Sequence, residues 1–206
     1  MIILPQQKAL FVHVPKTGGD SVSRFLINNV PGAYHSGGGK HWAPWMHNEG
    51  YKNYFKFAFV REPVEWYKSF YRFIQSNYII PNGKYPLFER GMYHPMRQWE
   101  KYNWRSFDTF IADVYEETPA YYTKLVEWMT GPENSRMLNY IGKQEHLSDD
   151  LGIILDRLKL RDLATKANNM PHINKSVGEF PVSAHSITMI QDQEHAIYRR
   201  FNYEKQ

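Results

Sequence analysis

The run PKTGGDS, Pro15–Ser21, collects residue types that suit an anion. Gly18 and Gly19 let the backbone come close to a ligand, Lys16 adds a mobile positive charge, and Thr17 and Ser21 offer hydroxyls. The lysine precedes the glycines, so this is not the GxxxxGK[ST] loop, and no magnesium-holding acid follows at the end of an apolar strand. A plain strand-to-helix turn would use the same glycines for tightness alone. A second pair is Arg61 and Ser69 in VREPVEWYKSFYRF, where a guanidinium fork and a hydroxyl suit another phosphate. Proton transfer near neutral pH calls for an imidazole, and nine histidines are available. His41, in GGGKHWAPW between the two sets, is the first candidate for a general base, with His35 and His47 next. His13 alternates within an apolar run and is expected to pack beneath the loop. The six-residue spacing of His35, His41 and His47 invites a metal, but no helix or strand period puts all three on one face. No metal is therefore expected.

Both sets need a strand end and a helix start to present them. ALFVHV (Ala9–Val14) reads as a buried strand stopped by Pro15, and Val22, Phe25, Leu26 and Val30 then share a helix face up to Pro31–Gly32. FKFAFV (Phe55–Val60) is a second strand, feeding a helix with Pro63 in its first turn and Tyr67, Phe70, Tyr71 and Ile74 on one face. Ser106 is expected to cap a helix with Phe107, Phe110, Ile111 and Val114; Tyr122, Leu125, Val126 and Met129 mark another, closing at Gly131. Met137–Ile141 reads as a third strand, and Ser148 as the cap of a helix with Leu151, Ile154, Leu155 and Leu158. One last helix carries Ile187, Ile190, Ile197, Tyr198 and Phe201. Strands alternating with helices predict an α/β fold, a central mostly parallel sheet with helices on both faces. Residues 31–50 and 77–105 lack clean periodicity. In the latter, aromatics alternate with cations, which fits an acceptor surface, a single-strand nucleic-acid platform or plain packing.

With 206 residues the chain fits one domain, 1–206, and needs no disulfide or metal staple. The absence of cysteine removes disulfide scaffolds, thiolate metal sites and thiol catalysis together. A formal charge of +4 suits an anionic small molecule as well as nucleic acid. No stretch approaches the roughly 20 apolar residues of a membrane span, and MIILPQQK lacks the basic start of a signal peptide, so a cytoplasmic location is expected.

Four motifs taken in order carry a resemblance: FVHVPKTGGDS, FAFVREPVEWYKSFY, IGKQEHL (Ile141–Leu147) and PHINKS (Pro171–Ser176). Together they resemble the sulfotransferase superfamily, in particular the carbohydrate branch that includes heparan sulfate 2-O-sulfotransferase and small bacterial members. The resemblance implies a P-loop-like three-layer α/β/α fold and 3′-phosphoadenosine 5′-phosphosulfate (PAPS) as sulfuryl donor, leaving adenosine 3′,5′-bisphosphate. It implies Lys16, Thr17, Gly18, Gly19 and Ser21 for the 5′-phosphosulfate, and Arg61 and Ser69 for the 3′-phosphate. Asp20, counted with the nucleotide-binding residues of the loop, stands where the family has a small Thr, an acid at a helix start that can also cap. Glu65–Trp66 stands where an Asp–Arg pair is frequent, which removes one cation. Asn174 and Lys175 in PHINKS are expected near the nucleotide, and Glu145 in IGKQEHL is expected to be structural.

The reaction implied is in-line sulfuryl transfer to a hydroxyl of a carbohydrate or other small-molecule acceptor, without a metal. Lys16 would neutralise the leaving phosphate and His41 would accept the proton. Two rivals stand beside it: an ATP-dependent small-molecule kinase of the same fold class, and a non-catalytic module for nucleotide or single-stranded nucleic acid. Neither nucleic acid nor a membrane is expected as partner.

Overall fold

The computed structural model describes residues 1–37, 49–75, 102–133, 135, 137–170 and 179–205. They form two compact units. One takes in the described residues of Met1–Arg61 and Val126–Lys175, the other those of Glu62–Leu125 and Ser176–Gln206.

The first unit is built on a five-stranded sheet in the order β3-β1-β2-β4-β5. Its strands are β1 (Ile2–Leu4), β2 (Ala9–Val12), β3 (Tyr34–His35), β4 (Phe55–Val60) and β5 (Tyr140–Lys143). β2–β4 and β4–β5 pair in parallel, with Phe11 opposite Phe57 and Val60 opposite Lys143. The central strands are parallel, as expected of a layered α/β/α fold, and β1 adds an antiparallel edge, pairing antiparallel with both β2 and β3. The opening MIIL forms this extra strand because a four-residue turn, closed by Lys8 N–H donating to Pro5 O at 3.2 Å, returns the chain on itself.

Along each strand successive residues face opposite sides. Ile2, Leu4, Ala9, Phe11, Phe57 and Phe59 share a core with helices α1 (Gly19–Asn29) and α5 (Leu147–Arg157). Ile3, Leu10, Val12, Ala58 and Val60 point the other way and are just as buried. Both faces of the sheet are thus covered, as a layered α/β fold requires. α1 buries Val22, Phe25 and Leu26 and ends at Asn29, where Val30 N–H donates to Leu26 O at 2.9 Å.

Two boundaries and one further helix differ from expectation for physical reasons. β5 starts at Tyr140 rather than Met137, because the Asn139 side chain takes the Lys56 N–H at 2.7 Å and starts the pairing there. It continues through Gly142, where a side chain would stand 2.7 Å from the Phe59 ring. Ser148 is not the cap of α5: a 3-10 turn, Gln144–His146, runs straight into the helix, which begins at Leu147 with no side-chain cap. The short α6 (Arg161–Ala167), seven residues long, offers too little periodicity to be seen in sequence.

The second unit is helical: α2 (Pro63–Ile74), α3 (Phe107–Glu117), α7 (Ala184–Gln193) and α8 (His195–Phe201), with the first half of α4 (Tyr121–Thr130). Pro63 opens α2, and the Glu62 carboxylate accepts the Glu65 N–H at 2.7 Å. Ser106 and Thr109 close a capping box on α3, as expected. The core is aromatic. Trp66 stacks on Tyr122 with centroids 4.5 Å apart, and Trp104 stacks on Phe110 at 4.5 Å, so the end of the 77–105 aromatic stretch is packing.

The expected single last helix is two. Between α7 and α8 lies Glu194, fully buried, whose carboxylate accepts from Tyr67 Oη at 2.6 Å, Tyr115 Oη at 3.2 Å, Thr123 Oγ1 at 2.6 Å and the N–H groups of Tyr122 and Thr123. It caps the head of α4 from a distant part of the chain.

Candidate anion-binding site

The loop from β2 to α1 turns through Pro15–Gly18 with two residues in the left-handed region, Lys16 at φ 64° and Gly18 at φ 79°. For a lysine that conformation costs on the order of 1–2 kcal/mol, which the surrounding packing must hold. Thr17 is fully buried and donates its hydroxyl to Val14 O at 2.9 Å, closing the loop on the strand end. In this conformation its backbone N–H, not its hydroxyl proton, is what it can offer a ligand.

Gly18 caps α1 through its own carbonyl, which accepts from Ser21 N–H at 3.1 Å and Val22 N–H at 3.3 Å. No side chain caps this helix, so the N–H groups of Gly18 and Gly19 have no acceptor among the described residues. A helix head with open donors and a positive partial charge is an anion site. Asp20 and Ser21 complete its first turn, Ser21 buried and Asp20 partly so.

Two neighbours explain the glycines. A Cβ on Gly19 would fall 2.1 Å from Cδ2 of His13, which is 3% exposed and stacks on Phe11. His13 therefore lies beneath the loop, as expected. A Cβ on Gly18 would meet Leu147 at 2.9 Å and Gln144 at 3.5 Å, so the turn after β5 walls the loop.

The three parallel strands β2, β4 and β5 all end at this edge of the sheet, after Val12, Val60 and Lys143. Arg61 follows directly on Val60 and is partly buried. Lys16 and Arg61 thus leave neighbouring parallel strands at the carboxyl edge, where open α/β sheets bind ligands. Residue types alone do not show the wall formed by Gln144 and Leu147. Its signal was IGKQEHL, but only the strand register shows which loop it adjoins.

The other expected residues are distributed as follows. Ser69 lies on α2, 7% exposed, its hydroxyl making no hydrogen bond to a described residue. Its neighbour Lys68 is committed to Glu65 at 2.9 Å, and Trp66 to the aromatic core. His35 is exposed on β3, two strands from β2. His41, His47, Asn174 and Lys175 lie outside the described residues. An open groove of about 620 Å³ lined by Asn29, Pro31, Lys159 and Leu163 sits at the far end of α1, some 16 Å along the helix from the loop. It lies away from this chemistry.

Fold and loop together define an α/β protein with an uncapped helix head beside a basic sheet edge. The chain belongs to the Sulfotransferase family, whose model matches residues 1–201. No curated protein and no solved structure matches it. Among the described residues no helix is long and apolar enough to cross a membrane.

Proposed function

We propose that residues 1–206 act as one PAPS-dependent sulfotransferase of the carbohydrate branch, transferring sulfuryl to a hydroxyl of a small-molecule or carbohydrate acceptor. The observation that carries the reading is the uncapped head of α1 with left-handed Gly18, at the same sheet edge as Arg61, the residue that follows β4. The donor set fits a phosphosulfate: open N–H groups where two glycines exclude side chains, and a lysine in the same turn.

Bound there, the donor nucleotide would supply a sulfuryl group joined to its 5′-phosphate as a mixed anhydride. Lys16 and the N–H groups of Gly18 and Gly19 hold that phosphate and neutralise the charge it gains as the acceptor oxygen takes the sulfur. Arg61 and Ser69 hold the 3′-phosphate, with Asn174 and Lys175 assigned to the same nucleotide. His41 takes the proton of the acceptor hydroxyl. Asp20 at the second helical position favours no anion by itself; its place in the dipole's field suits a role in setting the loop.

The test is a thermal-shift panel with adenosine 3′,5′-bisphosphate, ATP with magnesium, and AMP. Bisphosphate at about 100 times its Kd should add about 2.7 kcal/mol to stability. Stabilisation by ATP with magnesium alone would overturn the reading in favour of a kinase. Lys16→Ala should lower kcat on the order of 10²–10³ while leaving the unfolding midpoint within a few degrees. Unchanged turnover in that variant would remove Lys16 from the mechanism.

A further inference from the structure

Lys16 and Arg61 are the cations that the first two motifs bring to the carboxyl edge of the sheet, yet a nucleotide with two phosphate monoesters brings about four negative charges. The register adds a third cation. Lys143 is the last residue of β5 and pairs in parallel with Val60, the residue before Arg61. Adjacent parallel strands run about 4.8 Å apart, so Lys143 stands beside the very end of Arg61's strand.

Its direction follows from its neighbours. Gly142 faces Phe59 and Asp150, where an added Cβ would lie 2.7 and 2.9 Å from them, and Tyr140 bonds Asp150 on that same side. Lys143, next along the strand, projects to the opposite face, which Val60 shares. Its backbone is firmly placed. The Asp150 carboxylate takes the Lys143 N–H at 2.7 Å and the Tyr140 hydroxyl at 2.6 Å, locking strand to helix. Lys143 is partly buried, which suits a lysine whose stem can pack while its head stays available to polar groups.

We propose that Lys143 is a nucleotide-binding residue that reads the 3′-phosphate alongside Arg61, and so helps the protein to discriminate a 3′,5′-bisphosphate from a 5′-monophosphate. This rests on the nucleotide reading of the site given above. The opposite end of the nucleotide belongs to the α1 head, which Gln144 and Leu147 approach instead.

Calorimetric titration of adenosine 3′,5′-bisphosphate, adenosine 3′-monophosphate and adenosine 5′-monophosphate into the full chain, as wild type, Lys143→Met and Lys143→Arg, tests it. Methionine keeps the apolar stem without the charge. Expected is a roughly tenfold weaker bisphosphate and 3′-monophosphate affinity in Lys143→Met, no change for the 5′-monophosphate, and recovery in Lys143→Arg. An equal loss for the 5′-monophosphate would place the lysine at the phosphosulfate instead, and wild-type affinities throughout would remove it from the site; either overturns the inference alone. Should wild type bind neither 3′-phosphorylated ligand, the functional reading falls and this inference with it. If Lys143→Met is poorly folded, Lys143→Gln is titrated in its place with the same expected pattern.

Discussion

At Gly19 the space a side chain would fill belongs to another residue. The His13 ring occupies it, buried between Phe11 and the backbone of the loop, and this fixes the height at which α1 starts above the sheet. Gly19→Ala must push the ring aside, so it should cost about 1–3 kcal/mol in urea unfolding and weaken bisphosphate binding as the helix head shifts. Adding His13→Ala makes room for the new methyl, so the double variant should be more stable than the two separate costs predict. Strict additivity would show that the two residues do not share this space. Lys16 is the complementary case: its left-handed backbone is unfavourable for a lysine, and the buried Thr17 hydroxyl bond to Val14 O, which spans it, and the αL turn of Gly18 hold it there.

Elements are joined by carboxylates at their ends. In α3, burial pushes the Asp108 carboxyl up, but hydrogen bonds from Ser186 and Ser183 outweigh it and hold it below its ordinary value. The same bonds, at 2.6 Å from Ser186 Oγ and 2.9 Å from Ser183 Oγ, fasten the start of α7 to α3. Glu194 does more. By breaking α7 from α8 it brings one carboxylate to the first turn of α4, to Tyr67 of α2 and to Tyr115 of α3. Glu194→Gln keeps the shape but turns an amide N–H₂ toward donors, which should cost about 2–4 kcal/mol. Urea unfolding measures this, and a loss below about 1 kcal/mol would mean that the buried network is dispensable.

On the scale of the whole molecule, five buried or partly buried phenols share one electrostatic condition. Burial, and then the Glu194 charge, raise Tyr67 and Tyr115 well above the ordinary value of 10.0. Burial, followed by Glu62, raises Tyr198, and burial first of all pushes Tyr102 and Tyr140 up to about 12. In the unfolded chain these groups ionise near 10. A raised folded value means that their contribution is complete below that pH and is lost as pH rises toward the folded values. Stability should therefore fall steadily above about pH 10, and ultraviolet titration should show part of the phenol absorbance change arriving only with unfolding. Full ionisation at pH 11 with native circular dichroism would contradict this.

Much of the fold was legible because its signals are local. PKTGGDS needs only a strand end, two glycines and a helix start; Pro63, Ser106 and Gly131 announce their helix ends by backbone chemistry within a few residues. Apolar spacing set the faces of α1 and α2 for the same reason. What the sequence could not carry were the choices made between distant segments. The antiparallel return of MIIL, the start of β5 at Tyr140 and the partnership of Val60 with Lys143 follow from register, which is a contest among whole strands. Glu194 reads as one more surface acid in an amphipathic helix; only folding brings five donors to it and makes its burial favourable. Local sequence chose the loop that can grip an anion, and tertiary pairing chose which cations stand beside it, because a hydrogen-bonded turn is stabilised by its neighbours in the chain whereas a strand edge is assembled from residues more than eighty positions apart.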